Sequence, residues 1–151
     1  MDWRKLGDQL SVDGLLRDIH VPGVTLADWR RLFDILRMSE PQPVYMLDGD
    51  GHPLPGTIEE IFDSRSHASP MLSVRRDKLT FNCHFFVQEE IEFNLDPREI
   101  AGIGDLKTVL DFMEFLGRTT GKTVLLTPEN MPETPILQHL PDTGRIIWGS
   151  G

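Results

Sequence analysis

Between Met71 and Leu95 the chain reads MLSVRRDKLTFNCHFFVQEEIEFNL, and its side chains alternate with a period of two. Leu79, Phe81, Cys83, Phe85 and Val87 take every second position. Thr80, Asn82, His84 and Gln88 fall between them, with Phe86 as the exception. A strand sends successive side chains to opposite faces, so this spacing predicts one buried and one polar face. Ile91, Phe93 and Leu95 repeat the pattern around Glu92 and Asn94, and Leu72 and Val74 precede it. The stretch therefore predicts an antiparallel β-meander over about 71–75, 79–87 and 91–95.

Register follows from matching the apolar positions, because a one-residue slip turns a whole strand over. A loop of Arg76 and Asp77 sets Val74 opposite Leu79 and Leu72 opposite Phe81. For the second turn, a two-residue loop would set Phe85 against Glu92. A three-residue loop, Gln88 to Glu90, sets Val87 opposite Ile91, Phe85 opposite Phe93 and Cys83 opposite Leu95, and is preferred. The other face then carries His84, Phe86, Glu92 and Asn94, covered by a helix or by a partner.

Two amphipathic helices are predicted to pack on this sheet. Thr25 with Asp28 forms a variant capping box ahead of a helix over about 26–37, whose stripe is Leu26, Trp29, Leu32, Phe33 and Leu36. Asp105 is the expected cap of a second helix over about 105–118, lined by Leu106, Val109, Leu110, Met113 and Leu116, with Gly117 at its C-terminus. Thr57 and Glu60 mark a short helix over 58–63. Further strands are expected near 16–21, 44–47 and 122–127, with a terminal edge strand near 145–148. The fold class is α+β, and residues 1–151 are expected to form a single domain.

Charge narrows the partners. The net charge is −9, and the excess lies entirely beyond residue 37. From Ser39 to Ser64 there are six acidic residues and no Lys or Arg. Such a field repels phosphate backbones, which argues against nucleic acid, and it attracts a basic protein. No apolar run approaches the ~20 residues of a membrane span. The N-terminus lacks a signal-peptide core, and the lone Cys83 on an inward strand position suits a reducing compartment, so a cytoplasmic location is expected.

Motifs for cofactors fail on spacing, and no cofactor is expected. TTGKT lacks the earlier Gly, four residues apart from Gly-Lys, that a phosphate loop needs, because position 116 is Leu. Gly102-Ile103-Gly104 lacks its third Gly. The Asp48-x-Asp50 pair has the spacing that opens a calcium loop, with Glu59 in the twelfth place, but Pro53 stands where Gly is required. Cys83 and His84 point to opposite faces, so they form no nucleophile pair.

Two sets of site residues remain. Asp48, Asp50, Glu89, Glu90 and Glu92, at loops and strand ends, are the candidates for contacting a basic partner. His84 with Glu90 or Glu92 is the alternative: an acid–base pair or metal site of a small hydrolase. A metal would need a third ligand, from His67 or His20, and no spacing rule supports either. A third alternative is a structural or oligomeric subunit pairing through a sheet edge.

Three segments, TLADWRRLFDIL, CHFFVQEEIEFNLDPREI and FMEFLGRTTGKTVLLTPEN, together with size and acidity, give the chain a resemblance to small acidic immunity proteins of bacterial polymorphic-toxin and contact-inhibition systems. The resemblance implies a non-enzymatic protein that occludes one cognate, often basic, toxin in a tight complex. It carries over no functional residues.

Overall fold

The computed structural model describes residues 1–149. Among them are four α-helices: α1 (Trp3–Gln9), α2 (Leu26–Arg37), α3 (Ile58–Ser64) and α4 (Ile103–Thr120). The strands are β1 (Arg17–Pro22), β2 (Val44–Leu47), β3 (Asp50–His52), β4 (Pro70–Arg76), β5 (Leu79–His84), β6 (Glu90–Leu95), β7 (Val124–Pro128), β8 (Leu137–Leu140) and β9 (Arg145–Trp148). They form one nine-stranded sheet in the order β3-β2-β4-β5-β6-β1-β7-β8-β9. Every pairing is antiparallel. The fold is α+β, an antiparallel sheet packed against helices. No helix is long and apolar enough to cross a membrane.

The period-two pattern explains where the helices sit. Ile19, Val21, Leu72, Val74, Phe81, Cys83, Ile91, Phe93, Leu126 and Leu137 are buried and, by register, share one face. The buried residues of all four helices join the same core. Phe112 of α4 lies stacked on Phe81 at 4.0 Å between centroids and edge-on to Phe93 at 4.9 Å. Each such buried ring or aliphatic chain contributes about 1.5–3 kcal/mol, so the helix-facing side holds most of the folding energy.

Helix α2 begins and ends where its sequence says. Thr25 accepts a hydrogen bond from the Asp28 amide, and the Asp28 carboxylate accepts one from the Thr25 amide. Asp28 also receives Lys122 Nζ at 2.8 Å, from beyond the end of α4, together with Arg31. Helix α4 runs longer than expected. Its N-cap is Gly102, and Asp105 sits in the first turn, where it accepts from the Ala101 amide. Gly121, with φ of 68°, forms the C-cap in place of Gly117. Gly117 lies within the helix against His139.

Both hairpin registers differ from the expected ones by two residues, which preserves the faces. Val74 pairs with Phe81 and Leu72 with Cys83, because the chain turns at Asp77 and Lys78 rather than at Arg76. Asp77 takes a left-handed φ of 51°, and its carboxylate accepts from Thr108 Oγ1 at 3.0 Å.

In the second hairpin Cys83 pairs with Phe93, not Leu95, and β5 ends at His84. The expected pairing of Val87 with Ile91 does not form. Ile91 instead faces Val21 on β1, and Val87 is exposed. The reason is local. Phe85 turns into the core against Trp29 and Phe62. Trp29 Nε1 donates to Gln88 O at 2.8 Å, and the Val24 amide donates to Glu89 O at 3.0 Å. Segment 85–89 is thereby tied to the start of α2 instead of extending the hairpin. The sequence pattern also did not predict α1, β3 or β8.

Candidate functional site

On the face away from the helices, register aligns two rows of side chains. One crosses Met71, His84, Glu92, His20, Leu125 and Gln138. The other crosses Ser73, Asn82, Asn94, Asp18 and Thr127. Strand β1 is central, so even its outward residues are enclosed: Asp18 and His20 are 5% and 3% exposed.

Buried polar groups need partners, and these rows supply them. Ser73 Oγ donates to Asn82 Oδ1 at 2.7 Å. Asn94 Nδ2 stands 2.8 Å from His84 Nε2, and the His84 ring stacks on Phe86 at 5.1 Å. His20 is engaged at both nitrogens: Nε2 lies 2.9 Å from Thr127 Oγ1 and Nδ1 lies 2.5 Å from Glu90 Oε1. Glu92 Oε1 is 4.0 Å from the same Nδ1. The Asn130 amide donates to Asp18 Oδ2 at 3.0 Å.

The site is rich in negative charge. Asp18, Glu90 and Glu92 gather around His20, and among the described residues none of the three forms an ion pair with Lys or Arg. Burial first, then Asp18 and Glu90, push the Glu92 carboxyl above its usual range, against the opposing pull of His20. Burial lowers the His84 imidazole, with Asp18 pulling the other way. Burial raises the Cys83 thiol well above its ordinary value, and nearby Glu92 adds to this, so Cys83 is an inert core group.

The expected site residues distribute as follows. His84 does lie directly across from Glu92, on the same face of adjacent strands. Its Nε2, however, engages Asn94, and the histidine that meets Glu90 and Glu92 is His20. His67 is exposed in the loop after α3, beside Ser66. Asp48 occupies the tight turn after β2 with φ of 52°, where its side chain accepts from the Ser69 amide. Asp50 opens the edge strand β3 and is exposed. Met46, Met71, His84 and Glu92 share a row, so the Asp48 turn and segment 85–90 project from the same end of the sheet. Two to four strand spacings of about 4.8 Å separate them, roughly 10–19 Å.

Asp18, His20 and Thr127 join the site; of these the sequence suggests only His20, as a metal ligand that no spacing rule supports. Asp18-x-His20 alternates with Ile19 and Val21, which is the same two-faced pattern seen in the meander, hidden in a short apolar run. Comparison with protein-family models, with curated proteins and with solved structures finds no match for this chain.

Proposed function

We propose that this is a non-enzymatic binding protein of the immunity type, which takes a basic protein partner onto the helix-free face and adjoining end of its sheet. The observation that carries the reading is the set of carboxylates at Asp18, Glu90 and Glu92, gathered without a Lys or Arg counter-charge among the described residues. Around them stand Glu89, and across the same end Asp48 and Asp50, all three exposed. Between these acidic groups Phe86 and Val87 are 58% and 45% exposed. An apolar anchor ringed by like charge is the composition of an interface centre rather than of an inert surface. The buried Cys83 suits a reducing compartment, in keeping with action in the cytoplasm.

The test is purification of the tagged full-length chain from its host, followed by titration of the recovered partner. A basic protein bound one to one, with affinity that falls as salt rises and falls further in a Glu89→Lys/Glu90→Lys variant, supports the reading. An acidic partner, or binding indifferent to both salt and that variant, overturns it.

A further inference from the structure

We propose that His20, Glu90 and Glu92 bind one divalent transition-metal ion of the zinc class. The ligands lie on β1 and β6, with Thr127 of β7 behind His20; Glu90 and Glu92 also belong to the docking surface, but the inference does not rest on that reading. His20 Nδ1 and one oxygen from each carboxylate all lie within 4.8 Å of one another. A tetrahedral ion with bonds of about 2.1 Å sets its ligands about 3.4 Å apart. The separations from Nδ1, 2.5 Å to Glu90 and 4.0 Å to Glu92, fall on either side of that edge. The two carboxylates are 34% and 27% exposed, so each has room to move the remaining distance by side-chain rotation.

His20, in contrast, is fixed. It is 3% exposed, and its Nε2 is held by Thr127 Oγ1, itself fully buried. A ligand histidine usually gives its far N–H to such a partner, which orients the ring and leaves the near nitrogen free to coordinate. Both ligand-bearing strands are central in the sheet and pair directly, with His20 opposite Glu92. One imidazole and two carboxylates suit zinc, cobalt or manganese better than copper(I), which favours sulfur, or calcium, which favours oxygen throughout. Three protein ligands leave a coordination position open toward the solvent side of the face, the arrangement of a site that accepts a further ligand.

The alternative is a direct His20–Glu90 hydrogen bond with no ion. Chelator-stripped full-length protein titrated with zinc(II), and with cobalt(II) as a visible-absorption reporter, separates the two. The proposal expects one equivalent bound and cobalt bands of a low-coordinate nitrogen–oxygen site. Glu90→Gln and Glu92→Gln should each weaken binding at least about tenfold, and Thr127→Val by about 10–100-fold. Asp142→Asn, an exposed carboxylate in the turn between β8 and β9 and outside the ligand set, should leave it unchanged. Wild-type protein that binds either ion no more tightly than folded Glu92→Gln, or with no defined stoichiometry, overturns the proposal. Circular dichroism of each variant confirms its fold.

Discussion

His139 of β8 fills the space that a side chain on Gly117 of α4 would occupy. A Cβ at Gly117 would run into His139 Nδ1 and stand only 2.6 Å from Cε1. The last turn of the helix can approach β8 this closely because position 117 carries no side chain. Gly117→Ala gains about 1 kcal/mol of helix propensity, but overpacking a rigid contact costs about 1–3 kcal/mol. The expected result is a net loss of up to about 2 kcal/mol in urea denaturation. The double variant Gly117→Ala/His139→Ala should recover part of that loss, because the clash is gone.

His139 should also give the protein a mild acid sensitivity. It is 2% exposed, and among the described residues neither ring nitrogen has a hydrogen-bond partner. Burial lowers its pKa from the ordinary 6.5, with Glu114 pulling it up and Arg118 pushing it down. Below pH 6.5 the unfolded chain therefore takes up a proton that the folded chain resists. Stability should be level above that value and fall as pH drops beneath it, until the folded imidazole also protonates. Denaturant midpoints measured across this range, from neutral pH downward, should show this slope in the wild type, and a smaller one in His139→Leu.

Asp28 works in the opposite sense and at lower pH. Its burial pushes the carboxyl up, but hydrogen bonds from Lys122 and from the Thr25 amide outweigh this and hold it below 3.8. The stabilisation is present above 3.8 and is lost as pH falls through the lower folded value. At neutral pH, Asp28→Asn should cost about 1–2 kcal/mol, since the charge that pairs with Lys122 is removed while the cap geometry survives. Its acid-unfolding curve below about pH 4 should be flatter than that of the wild type.

Phe86 separates stability from binding. Because it is more than half exposed, Phe86→Ala should change folding stability by no more than about 0.5 kcal/mol. If the face with its acidic end docks a partner, the same change should weaken that complex at least about tenfold. Calorimetry of the complex beside thermal melts of the free protein reads both. A loss of stability with unchanged affinity would place Phe86 in the fold rather than in an interface.

The alternation of Leu79, Phe81 and Cys83 with Thr80, Asn82 and His84 was enough to identify the sheet and its two faces. The Thr25–Asp28 cap was enough to place α2. Register was less accessible, since moving a hairpin by two residues keeps every face unchanged. What decided it was the distant anchoring of Gln88 by Trp29 and of Asp77 by Thr108. Glu90 and Glu92 could be paired from their spacing alone. Their histidine could not, because His20 reaches them across 70 residues of chain through a neighbour relation between β1 and β6 that no local pattern encodes.

That neighbour relation has a consequence for the order of events in folding. Strand β1 alone joins the run from β3 to β6 with the run from β7 to β9. Its partners lie far along the chain, so its loop-closure entropy is large and its pairing is slow to gain a foothold. During synthesis it emerges well before either partner exists, and its ladder groups stay unsatisfied until α4 and β7 have followed. The halves can assemble as separate hairpins, so the seam between them, and with it the cluster at His20, is expected to close last.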